Sequence, residues 1–79
     1  MRRSLAFITW LKGYLIQYYL LGDQSGQAYG LAVSYRGEEA AFSDLTASAP
    51  AVRELLHAMR KGTVTPVTAG DIVEDWLLR

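Results

Sequence analysis

The sequence predicts an α+β fold: a small antiparallel sheet of three or four strands followed by two short helices packed on one face. Three observations carry this expectation. Apolar residues alternate with period two from Tyr14 to Leu21 and again from Gln27 to Arg36. From Leu45 the period lengthens, because Val52, Leu55, Leu56 and Met59 fall at i, i+3, i+4 and i+7 on one helical stripe. The strand patterns also all precede the helical ones, which argues against βαβ units.

The first strand pattern places Tyr14, Ile16, Tyr18 and Leu20 on one face and Leu15, Gln17, Tyr19 and Leu21 on the other. Gly22-Asp23-Gln24-Ser25-Gly26 has turn composition, and beyond it Tyr29, Leu31, Val33 and Tyr35 alternate with Ala28, Gly30, Ala32 and Ser34, completing a hairpin. Arg36-Gly37-Glu38 turns the chain into a weaker strand, Ala40 to Leu45, anchored by Phe42. The strands thus occupy about residues 14–45, and the pattern leaves open whether Leu5 to Leu11 adds another, broken at Lys12-Gly13.

The first helix is expected over about residues 49–61. Ser48 or Thr46 can cap it, Pro50 fits its first turn, Arg60 and Lys61 complement the dipole at its end, and Gly62 suits a left-handed position beyond. Pro66 keeps Thr65 extended, and Thr68 followed by Asp71 reads as a capping box, so the second helix is expected over about residues 69–78. Its apolar stripe would be Ile72, Val73, Trp76 and Leu77, with Asp71, Glu74 and Asp75 outward. The expected core packs Leu55, Leu56, Met59, Ile72 and Trp76 against Ile16, Tyr18, Leu31 and Val33. A fully buried Trp76 would be its largest contributor, worth about 3–5 kcal/mol on truncation, and a Thr68 cap about 1 kcal/mol.

At 79 residues there is room for one domain, 1–79, burying about 60% of its unfolded surface. A hydrophobic share of 51% argues against a disordered chain, and the lack of cysteine excludes disulfides and thiolate metal sites, in keeping with a cytoplasmic location. A formal net charge of zero offers no overall electrostatic footprint for nucleic acid or an anionic membrane. Met1-Arg2-Arg3 and the apolar run from Leu5 to Leu21 imitate a signal peptide or short membrane span. Lys12 and Gly13 interrupt that run, Gln17 and three tyrosines lie within it, and no small-residue cleavage site follows.

Several segments together resemble a known family: Tyr18-Tyr19-Leu20-Leu21, Tyr29-Gly30-Leu31-Ala32-Val33, Val64-Thr65-Pro66, and Asp71-Ile72-Val73-Glu74-Asp75-Trp76-Leu77. Over about Tyr14 to Leu78, and most specifically at the Asp71 to Asp75 end, the chain resembles a family of short uncharacterised proteins of clostridial Firmicutes, a domain of unknown function. The resemblance brings no catalytic residue, ligand or partner. It implies a free-standing bacterial cytosolic protein.

The residues that could carry chemistry do not assemble a reactive set. His57 is the sole histidine, and its neighbours at helical spacing are Arg53, Arg60 and Lys61, with no orienting carboxylate on that face. Asp71, Glu74 and Asp75 converge at i, i+3, i+4 as a hard cation would require, but acids in a first helical turn and an Asp75–Arg79 pair explain them without a metal. Arg53, His57, Arg60 and Lys61 form a basic stripe, which with the helix after it invites a helix-turn-helix reading. A connection from Gly62 to Val67 is too long for that motif, and an acidic second helix would be repelled by phosphate.

No catalytic, cofactor, metal or small-molecule site is therefore assigned. The leading expectation is a non-catalytic protein–protein interaction or regulatory module, with Leu15, Tyr19, Leu21, Arg53, His57 and Arg60 as its interaction surface. The alternatives are a nucleic-acid-associated regulator using the basic stripe and a small enzyme using His57. Helices can cover only one side of the sheet, so either Leu5 to Trp10 folds across the other, or two copies pair through it with two-fold symmetry.

Overall fold

The computed structural model describes residues 2–22 and 25–78. Four antiparallel strands follow one another in space as in sequence: β1 (Arg2–Leu11), β2 (Tyr14–Gly22), β3 (Tyr29–Tyr35) and β4 (Glu38–Thr46). Two helices, α1 (Ala49–Lys61) and α2 (Pro66–Leu77), complete the α+β arrangement. The α1 helix lies over β1, β2 and β3, and α2 over β3 and β4, so one face of the sheet carries both helices.

The question left open at Leu5 to Leu11 is answered by a full edge strand. Lys12 (φ 52°) and Gly13 (φ 84°) form a two-residue hairpin loop, as do Arg36 (φ 52°) and Gly37 (φ 82°). Positive φ at both loop positions matches the twist of the flanking strands. Strand β1 therefore pairs along the outside of β2 and does not fold across the sheet. Of the turn expected at Gly22 to Gly26, Asp23 and Gln24 lie outside the described residues.

The core joins Ile16, Tyr18, Leu31 and Val33 from the sheet to Val52, Leu55, Leu56 and Met59 from α1 and to Ala69 and Val73 from α2. Two expected members move. Ile72 is 38% exposed and Trp76 only half-buried, because α2 turns Ala69, Val73 and Trp76 inward at i, i+4, i+7. Trp76 therefore lacks the burial that its expected cost assumed, and Tyr18 is the largest side chain fully enclosed.

The capping box at Thr68 is also corrected. The α2 helix begins one turn earlier, with Pro66 in its first turn, where a missing N–H leaves no bond unmade. Thr65 is the extended N-cap and makes no side-chain cap bond, whereas the Thr68 hydroxyl donates to Thr65 O at 3.4 Å. Asp71, Glu74 and Asp75 consequently fall in the middle and last turn, and no acid stands in the first. The Asp75–Arg79 pair involves a residue outside those described.

At the start of α1 the expectation holds: Ser48 Oγ accepts from Ala51 N at 3.2 Å. At its end the left-handed residue is Thr63 (φ 52°), while Gly62 has φ −86°. Val64 N donates to Met59 O at 3.0 Å and Thr63 N to Arg60 O at 3.1 Å, the two bonds of a Schellman closure. The connection between the helices spans only residues 62–65, so loop length is no objection to a helix-turn-helix. The acids of α2 remain one.

Candidate interaction surface

The helix-free face of the sheet is built in rows that follow from the ladders. Leu5 stands beside Tyr19, Ala32 and Ala41; Ile8 beside Gln17, Ser34 and Glu39; Trp10 beside Leu15. On β1 the apolar side chains of this face are open to solvent: Leu5 is 55%, Ile8 43% and Trp10 65% exposed. Leu15 and Tyr19 are half-buried.

Three residues of this face, Leu21, Gly30 and Ala32, are buried although both helices lie on the other side. Arg3 neighbours Leu21 in the β1–β2 ladder, and its guanidinium sits 4.8 Å from the centroid of the Tyr19 ring. From there it donates to Glu39 on β4, so one ion pair bridges the sheet between its opposite edges. The hydrogen bond from Arg3 holds the Glu39 carboxyl below its ordinary range, and the same bond raises Arg3. The bridge crosses this face near Leu21 and Ala32, and the large apolar side chains left exposed on it are those of β1.

The basic stripe of α1 flanks the other side of β1. Arg60 Nε donates to Ile8 O at 3.1 Å, and its guanidinium carbon is 5.8 Å from the Phe7 ring centroid. The His57 ring lies 5.4 Å from the Phe7 ring, and Arg53 borders the shallow pocket formed by Leu5, Phe7 and Leu20. A bond to an outward carbonyl and a charged border discourage unguided strand addition at this edge. Strand β1 thus carries the apolar row on one side and contacts Arg53, His57 and Arg60 on the other.

A net charge of zero conceals a segregation by edge. Arg2, Arg3 and Lys12 belong to the β1 side, joined by Arg53, Arg60 and Lys61 of α1. Glu38, Glu39 and Asp44 belong to the β4 side, joined by Asp71, Glu74 and Asp75 of α2. Glu54 on α1 and Arg36, whose guanidinium lies 4.3 Å from the Tyr14 ring centroid, depart from this division.

Sequence reasoning identified the facing of Leu15, Tyr19 and Leu21 and missed Leu5, Ile8 and Trp10. A bulge between Leu5 and Phe7 slips the alternation, so that Leu5, Ile8 and Trp10 share a face that strict period two would divide. Among the described residues, no group of three or more His, Asp or Glu side chains is arranged to hold a metal ion, and no helix is long and apolar enough to cross a membrane.

No curated protein and no solved structure matches the chain. A family model does, over residues 11–79, which takes in every element except most of β1. The chain belongs to the family of unknown function DUF6514.

Proposed function

We propose that the protein is a small non-catalytic protein–protein interaction module whose working surface is the helix-free face of its sheet along β1 and β2. One observation carries this reading: Leu5, Ile8 and Trp10 hold large apolar side chains in water on the side away from the core. A contiguous apolar patch bordered by charge is the usual mark of a docking surface. The basic flank of Arg53, His57 and Arg60 would set orientation at its rim. A bacterial, clostridial origin and a cytoplasmic location belong to the same proposal, as does a regulatory role. A nucleic-acid-associated role would rest on that basic flank alone, and the acids of α2 work against it.

The test is cross-linking inside cells. A photoreactive amino acid in place of Trp10 is expected to give covalent protein adducts. The same group at Val67, which is 79% exposed on the helix side, is expected to give none. Equal labelling from both positions, or adducts from neither, would remove the helix-free face as an interaction surface.

A further inference from the structure

We infer that the partner of the helix-free face is a second copy of this chain, packed face to face about a two-fold axis that runs parallel to the strands. The inference rests on the interaction reading above and adds the occupant and its orientation. Relief, charge and area each contribute to it.

Relief is divided across the sheet. The β1–β2 half carries the bulky Leu5, Ile8, Trp10, Leu15 and Tyr19, while the β3–β4 half holds the small Ser34 and Ala41 at its surface, with Gly30 and Ala32 buried beside them. A two-fold axis parallel to the strands brings β1 of each copy over β4 of the other, so each raised half meets a low one. An axis across the strands would set β1 on β1 and leave the low halves apart.

Charge selects the same axis. The row Arg2–Gly22–Tyr29–Thr46 fixes one end of the sheet and the row Thr9–Ile16–Tyr35–Glu38 lies towards the other. Pairing β1 with the partner's β4 therefore sets Arg3, beside Leu21 on the helix-free face, nearest the partner subunit's Asp44, and brings the Lys12 loop to the end of β4 that carries the partner subunit's Glu39. The crossed axis would oppose like charges on both rims, which is unfavourable. The Arg3–Glu39 bridge already expresses the attraction between the rims within one chain. Both its side chains remain over a third exposed, at 44% and 39%, so it can exchange to the equivalent residues of a second copy.

The area falls at the small end of the range, as for a weak and reversible dimer. Four strands about 4.8 Å apart and some eight residues of about 3.3 Å give a face of roughly 500 Å² in projection, and more as accessible surface. A standard interface takes about 800 Å² per partner.

The native chain is expected to sediment as a monomer–dimer mixture at micromolar concentration, with dissociation favoured by salt. Leu5→Asp is expected to weaken the dimer at least about tenfold while leaving circular dichroism unchanged. The absence of cysteine allows the axis to be read directly with a short bismaleimide. A mixture of Ile8→Cys and Ala41→Cys chains is expected to cross-link, and Ile8→Cys alone is not. Efficient linking of Ile8→Cys alone would overturn the axis. A monomer at every concentration, with Trp10 adducts in cells of any mass other than twice the chain, would overturn self-pairing and leave the interaction reading standing. A monomer with no adducts would remove both.

Discussion

Replacing Gly30 by alanine is expected to lower the melting temperature by well over ten degrees. Gly30 lies opposite the irregularity where the β3–β4 register shifts between Tyr29 and Leu31, and Asp44 on the bulged strand has φ 56°. A Cβ at Gly30 would overlap the Phe42 carbonyl oxygen and fall 2.8 Å from Ser43 Cα and 2.9 Å from Phe42 C. All three are backbone atoms, so no rotamer change relieves the overlap. β4 would have to leave β3, drawing Phe42 away from the core cluster against which it packs. Overpacking commonly costs about 1–3 kcal/mol when side chains can yield, and more is expected where backbone must move. Against a total stability of about 0.05–0.15 kcal/mol per residue, about 4–12 kcal/mol for 79 residues, a cost above about 3 kcal/mol is a large fraction. Thermal melting followed by circular dichroism checks it. A Gly30→Ala chain melting within a few degrees of the parent would show that β4 can yield here without breaking the fold.

The second large effect concerns Tyr18, which couples the sheet to the connection between the helices. Its side chain is fully buried, and its hydroxyl donates to Val64 O at 2.8 Å, with Met59 O at 3.4 Å. Met59 O also accepts the Val64 N–H that closes α1, so the phenol holds the left-handed Thr63 turn in place. Tyr18→Ala is expected to cost about 3–5 kcal/mol through the cavity it leaves. Tyr18→Phe retains the ring and should cost about 1–3 kcal/mol through the buried carbonyl left without its donor.

Burial also pushes the Tyr18 phenol up to about 12 from its ordinary 10.0. A folded-state value above the unfolded one means that the folded chain holds this proton more tightly. Its contribution is complete below the unfolded value and is lost as pH rises from there through the folded value. Over that alkaline window the loss is on the order of 2–3 kcal/mol. Urea unfolding across that window should show a steep loss for the parent and a shallower one for Tyr18→Phe. Parallel curves for the two proteins would exclude Tyr18 as the group responsible.

How far the fold could be read from sequence depended on whether local pattern and tertiary contact agreed. In β2, β3 and α1 they agree, and the facing of Tyr18 against Tyr19 or Leu55 against Arg53 follows from period alone. At β1 they do not, because the bulge after Leu5 puts Phe7 and Ile8 out of step with a regular strand. At α2 the Thr68–Asp71 spacing imitates a cap, yet Pro66 and the extended Thr65 already start the helix. The candidate surface was legible in Leu15 and Tyr19 but not in its sheltered part. Near the buried Leu21 the face is crossed by an ion pair between residues 36 positions apart, Arg3 and Glu39. The division of charge was invisible in the composition for a related reason: it emerges only when β1 and β4 are placed at opposite edges.

The central claim is that the apolar row on β1 serves binding and not folding, and one measurement separates the two. Ile8 and Trp10 are replaced together by threonine, which preserves strand propensity while removing most of the apolar surface. Urea unfolding is then followed at a protein concentration low enough to keep both chains monomeric. The expected result is an unfolding free energy in water within about 0.5 kcal/mol of the parent, as for exposed positions, together with loss of association at high concentration. A fall of about 2 kcal/mol or more in the monomer, the cost of losing buried apolar side chains, would show instead that these residues complete the core.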